Sequence, residues 1–292
     1  MTFPDHEVVI VGGGFSGIGA AIALRRAGFD DLLIVEEGDG VGGAWYWNRY
    51  PGIAVDIPSF SYQFSYRQRA DWSRVYAPGH ELRAYAEDCV DTYGLRERVR
   101  LGTRVTSATF DEDHDLWRLG TGDGDEITAR HVIGATGVLT QPKQPDIPGV
   151  EHFAGTTIHT ARWDHDIDLW GKRVAVIGTG ASAVQVIPAI APDVAHLTVF
   201  QRTPIWCLPK ADAPLPGALR AALKWIPGAR WATRLASQAY VELTFPIAAH
   251  YATTLPFAKH GERAGLAHLR AQVRDPEVRA KLTPQYGLGC KR

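Results

Sequence analysis

Two glycine-rich stretches carry the chemistry that this sequence announces. The first is Gly12-Gly13-Gly14-Phe15-Ser16-Gly17, entered from the β-branched run Val8–Val11. The second is Gly178-Thr179-Gly180-Ala181-Ser182-Ala183, entered from Val174–Ile177. Each opens into an Ala-rich, helix-compatible stretch, with a second apolar run beyond it: "LLIVE" at 32–36 and "HLTVFQ" at 196–201. A strand, G-x-G-x-x-G/A, helix and strand in about thirty residues describe a dinucleotide cradle. The first Gly (Gly12, Gly178) allows the tight turn, and the second (Gly14, Gly180) lets a pyrophosphate approach the backbone. The third (Gly17, replaced by Ala183) sets how closely the helix packs on the strand, and the anion lies at the helix N-terminus. Glu36 stands 24 residues after Gly12 and Arg202 stands 24 after Gly178. On equal spacing the two share one slot, an acid in the first copy and a base in the second. A carboxylate accepts hydrogen bonds from a free ribose 2′-hydroxyl, whereas a guanidinium neutralises the 2′-phosphate that only NADP carries. Thr203 adds a hydroxyl donor. The first cradle therefore suits FAD and the second NADPH, and two such sites in one chain suggest a relay in which NADPH reduces FAD.

Around these loops lie weaker signals. Gly42-Gly43 offers another close backbone approach, and Trp45, Trp47 and Tyr50 could wall a flavin. Asp56 sits among apolar neighbours, where a buried carboxylate needs a cationic or hydrogen-bonding partner; taken alone it reads more often as a turn-capping residue than as a catalytic one. His159 and His165 lack metal-ligand spacing, so no metal is expected. Cys89, Cys207 and Cys290 form no CxxC pair, which argues against a thiol–disulfide centre and for a reducing, cytoplasmic setting.

Between the two loops runs Phe153-x-Gly155-x-x-x-His159-x-x-x-Trp163-Asp164. With the flanking glycine loops, "GGAWYWNRYPGIAVDIPS" and "GATG" (134–137), this segment resembles the fingerprint of type I Baeyer–Villiger monooxygenases. The resemblance extends over essentially the whole chain. It implies that NADPH reduces FAD and that the reduced flavin, through its C4a-peroxide, inserts one atom of O2 into a ketone to give an ester or lactone. It gives Phe153, Gly155, His159, Trp163 and Asp164 a role in coupling domain motions, not in oxygen transfer. It also implies that Arg292 is the catalytic guanidinium held by Asp56, with Lys291 reaching the NADPH 2′-phosphate beside Arg202. Related enzymes oxygenate nitrogen or sulfur, and a non-catalytic nucleotide-binding remnant is the rival outside enzymes.

The elements that must position these residues form an α/β protein with two Rossmann-type units. Residues 1–140 are expected to be the FAD domain, 141–164 a linker with the fingerprint, 165–208 the NADPH domain, and 209–292 a helical insertion beginning to return to it. Relatives of this kind continue past "CKR", so the C-terminal part of the FAD domain is expected to be missing, or supplied by a complementing chain. The helical insertion reads from apolar residues at three- and four-residue steps, with Pro227-Gly228 as a break and Asp275-Pro276 as a helix start. Pro188 is expected to shorten or bend the helix after the second loop. The net charge of -1 gives no sign of a nucleic-acid partner, and no apolar run approaches the roughly 20 residues of an integral membrane span. The balance is uneven, however. From Pro209 onward 13 Lys and Arg face 5 Asp and Glu, a net +8 that leaves -9 for the rest. Such a run suits a solvated helical face, a cover attracting an anionic cofactor, or a membrane surface.

Overall fold

The computed structural model describes residues 3–249 and 257–288. The chain divides into two compact units. Unit 1 comprises Met1–Tyr50 and Gly79–Asp164, and unit 2 comprises Pro51–Pro78 and His165–Arg292.

Unit 1 is built on a six-stranded sheet. Its strands are β1 (His6–Val11), β2 (Leu32–Val35), β3 (Val99–Arg100), β4 (Val105–Asp111), β5 (Leu116–Thr121) and β6 (Glu126–Gly134), in the order β3-β2-β1-β6-β5-β4. Strands β3, β2, β1 and β6 are parallel, while β5 and β4 extend the sheet antiparallel. β1 and β2 are short and apolar because both faces are covered, as parallel strands require. Val9 and Val35 pack with Leu119, Ile127 and Ala129 in one buried cluster. The crossover from β1 to β2 is α1 (Phe15–Arg26); α2 (Ala44–Trp47) and α3 (Gly79–Thr92) follow.

Unit 2 contains the second copy of the device: β7 (Arg173–Ile177), α4 (Ala181–Ile190) and β8 (His196–Phe200), with the strands parallel. α4 continues through Pro188 and ends two residues later. Among the described residues four helices follow: α5 (Gly217–Trp225), α6 (Ala229–Ala249), α7 (Phe257–Gln272) and α8 (Pro276–Leu282). Gly228, at φ +79°, breaks the chain between α5 and α6. Asp275 caps α8 by accepting from the amides of Glu277 (2.8 Å) and Val278 (3.2 Å), with Pro276 at the first helical position.

The segment 51–78, which local pattern places inside a domain of residues 1–140, makes its contacts in unit 2. Val75 N–H donates to Ala213 O and Leu215 N–H to Ser73 O, and Arg74 pairs with Asp212 at 2.9 Å. Arg234 on α6 donates to the carbonyl of Gln63 at 2.8 Å, and Ser61 and Ser237 share a 2.6 Å hydrogen bond. These partners lie more than a hundred residues downstream, where no local periodicity can point to them.

Candidate functional site

In unit 1 the first glycine loop is held from several sides. Gly12 adopts φ +114°, and a Cβ there would overlap the carbonyl of Ala135, so the "GATG" turn lies directly on the loop. A Cβ on Gly17 would overlap the carbonyl oxygen of Gly12, which is why α1 can begin so near β1. Gly14 and Gly43 face one another: a Cβ on Gly43 would stand 2.8 Å from Gly14 Cα, and Gly42 N–H donates to Gly13 O at 2.9 Å. Glu36 is buried, 4% exposed, and its two oxygens accept from the amides of Gly13 (2.6 Å) and Gly38 (2.8 Å). Each oxygen keeps a further lone pair for a ribose hydroxyl. No side chain among the described residues caps α1 at Gly14, so the first-turn amides remain available to an anion. Trp45 is half-buried on α2, directly after Gly43.

In unit 2 the second loop repeats the turn closely. Gly178 has φ +108° against +114° at Gly12. Gly180 has φ -72° and ψ -174°, against -79° and -174° at Gly14. α4 likewise carries no side-chain cap among the described residues. Among the described residues nothing lies within 4 Å of a Cβ placed on Gly178 or Gly180, so they leave this loop open where the first is packed. Ala183 is buried at the third position, which the first copy cannot allow at Gly17. The donor set and the open glycine face both fit a dinucleotide phosphate.

The equal spacing of Glu36 and Arg202 does not put them in one slot. Val11 pairs with Val35, whereas Ile177 pairs with Phe200. The path between paired residues is one residue shorter in the second copy, so Gln201 follows its strand as Glu36 follows Val35, and Arg202 comes one later. Gln201 donates to Lys281 O at 3.0 Å. Arg202 is exposed and lines a cavity of about 780 Å³ with Thr179, Ala183, Trp206 and Lys281. Lys281 is a cation that spacing alone did not bring to this place. The carbonyl of Thr203 accepts from the Thr179 hydroxyl at 3.3 Å.

Asp56 is exposed, which corrects the expectation of a buried carboxylate. The loop around it is fixed through its backbone. Gln185 on α4 donates to Ala54 O at 2.9 Å and reaches Asp56 Oδ1 at 3.5 Å, while Lys210 donates to Val55 O at 2.9 Å. Gly52, at φ +82°, lies so near α4 that a Cβ would stand 2.6 Å from Gln185 O. Neither Gln185 nor Lys210 had a motif to mark it. Lys291 and Arg292 lie outside the described residues, and with them the expected pairing of Arg292 with Asp56.

The fingerprint segment is ordered by local contacts and by one contact to α2. Phe153 is largely exposed and folds its ring over Gly155, where a Cβ would meet it at 2.5 Å. His159 Nδ1 accepts from Ala161 N–H at 3.1 Å and caps a short 3-10 turn over Thr160–Arg162. That hydrogen bond gives the ring a structural role in the turn. Arg162 stacks on Trp47, Trp163 is half-buried, and Asp164 is exposed. Among the described residues no group of three or more His, Cys, Asp and Glu is placed to hold a metal.

The pattern of the family described as pyridine nucleotide-disulphide oxidoreductase matches residues 9–214, which include both glycine loops. The chain belongs to that family. Within it, the chain is 43% identical over 290 residues to a Baeyer-Villiger monooxygenase of Streptomyces coelicolor, covering 98% of this chain and 55% of the relative. Among solved structures it is similar to OTEMO in complex with FAD and NADP, with TM-score 0.86 and 31% identity. That match covers 100% of this chain and 62% of OTEMO. It is also similar to ε-caprolactone-bound cyclohexanone monooxygenase, with TM-score 0.83 and 32% identity over 98% of this chain and 63% of that one. The chain thus spans about half the length of the curated relative it matches. The family's name does not extend to a CxxC dithiol here, because the sequence contains none.

Proposed function

We propose that this chain forms the larger part of the dinucleotide-binding machinery of a Baeyer–Villiger monooxygenase. It would use FAD, NADPH and O2 to convert a ketone to an ester or lactone. The observation carrying this reading is the pair of glycine turns that agree within 10° in φ while their surroundings differ, one packed around Glu36 and one open beside Arg202. The fingerprint residues Phe153 to Asp164 and the named relatives support it. The flavin supplies the two-electron and O2 chemistry when bound, and the nicotinamide supplies the hydride.

The residues of the chain have binding and orienting roles. The amides at the start of α1 receive the FAD pyrophosphate, and Glu36, already fixed by Gly13 and Gly38, accepts from the adenosine ribose. The amides at the start of α4 receive the NADPH pyrophosphate. Arg202, with Lys281 across the same cavity, meets the 2′-phosphate. Gln185 and Lys210 fix the backbone on which Asp56 is carried.

The test is product analysis with FAD, NADPH, O2, a cyclic ketone and a thioether, alongside calorimetric titration of each dinucleotide. A lactone product upholds the reading. Sulfoxide without lactone would move the chain to the sulfur-oxygenating relatives. Binding of both dinucleotides with no oxygenated product would leave nucleotide binding as the function of this length of chain.

A further inference from the structure

From Trp231 to Tyr240 the outer face of α6 is apolar and its inner face is polar, the reverse of an ordinary surface helix. Trp231, Ala232, Leu235, Ala236, Ala239, Tyr240 and Leu243 are all exposed. Arg234 and Ser237 point inward, to Gln63 O and the Ser61 hydroxyl. The α5–α6 turn adds to the same character. Trp225 is 74% exposed, Ile226 58% and Trp231 64%, grouped about Pro227-Gly228. Large exposed apolar patches rimmed by polar groups mark interaction surfaces.

Charge identifies the occupant. Around the hairpin tip the exposed charges are Arg220, Lys224 and Arg230, while Arg234 is turned inward and the carboxylate of Glu242 stands at the far end of the face, held by Gln238 at 2.8 Å. Lys224 Nζ stands 5.0 Å from the centroid of Trp225, a cation beside an aromatic ring at the tip of the hairpin. Asp71, whose charge Arg220 feels, is already bound by Arg69 through two hydrogen bonds of 2.7 Å. A second copy docked tip to tip on this hairpin would bring Arg220, Lys224 and Arg230 against their own counterparts. An anionic phospholipid surface satisfies both features: tryptophans enter the headgroup boundary, and Arg and Lys stay at the phosphates with their stems along the apolar face. We propose that the α5–α6 hairpin is an interfacial anchor for an anionic membrane. Among the described residues no helix is long and apolar enough to cross one, so the chain would lie on the surface.

The test is co-sedimentation of the chain with vesicles of phosphatidylcholine containing about 30% phosphatidylglycerol, and with phosphatidylcholine alone. The expected result is binding to the anionic vesicles only, weakening as salt rises through the screening range. Replacing both exposed tryptophans (Trp225→Ser, Trp231→Ser) should lower that binding at least about tenfold. Lys224→Gln alone should lower it about fivefold. All three side chains are exposed, and matching circular dichroism and urea midpoints establish that the variants fold. Absence of binding, equal binding to neutral vesicles, or unchanged binding by the tryptophan variant would overturn the proposal. So would a dimer in sedimentation velocity that the tryptophan variant converts to monomer, since a second copy would then cover the face.

Discussion

The guanidinium of Arg162 lies 3.8 Å from the ring centroid of Trp47, which ties the end of the fingerprint segment to α2 just after Gly43. A half-buried cation over an indole contributes about 1–2 kcal/mol. Arg162→Ala should lower the stability of unit 1 by about that amount, read from urea unfolding, and Arg162→Lys should restore roughly half. An unchanged midpoint in the alanine variant would show the stacking to be idle.

The glycines of the two loops should respond differently to a methyl group. Gly12→Ala places a Cβ against Ala135 O at a positive φ, so it should cost about 2–4 kcal/mol and leave little folded FAD site. Gly180→Ala has an extended φ and open space, so it should leave the melting temperature within about 2 °C. It should still cut NADPH affinity by roughly tenfold or more, because the methyl stands where the pyrophosphate approaches the backbone. A variant that melts early and binds normally would reverse the assignment.

Arg202→Ala should weaken NADPH about tenfold while leaving NADH within about twofold, since only the former carries the 2′-phosphate. Lys281→Ala should act in the same direction with a smaller effect. Equal losses for both nucleotides, measured by calorimetry, would remove the phosphate assignment from both cations.

Acid should loosen the β4–β5 hairpin through Asp111. Its carboxylate is held down to about 2 from an ordinary 3.8, first by His114 and then by Arg118, whose Nε donates at 2.9 Å. A depressed folded value means that the stabilisation is complete above about pH 4 and disappears as pH falls towards 2. Asp111→Asn should therefore flatten the acid limb of the stability curve between those values and nowhere else. Asp5, lowered by the hydroxyl and amide of Thr128, adds to the same limb in the same sense.

The two cradles were legible because their signals are local. A β-branched run, three spaced small residues and an Ala-rich stretch specify strand, turn and helix without help from the rest of the chain. Asp275-Pro276 was legible for the same reason. What spacing could not give was register. Counting 24 residues from each first glycine pairs Glu36 with Arg202, but the strand pairing sets Gln201 at the corresponding step. Only the hydrogen-bonded ladder records that the second crossover is one residue shorter. Asp56 was misjudged as buried because apolar neighbours in sequence do not oblige a side chain to turn inward. Strands β4 and β5, with mixed residues such as "VTSATFD", carry too weak an alternation to have been singled out.

The bond between Ser61 and Ser237 spans 176 positions of the chain. A ribosome adding about 5–20 residues per second needs roughly 10–35 s to deliver the second serine after the first. Throughout that interval the loop carrying Phe60, Ser61 and Gln63 has emerged without the helix that later gathers its carbonyls. Nascent chains stalled before Arg230 should accordingly be cut by protease in that loop, and chains stalled well past Ser237 should resist.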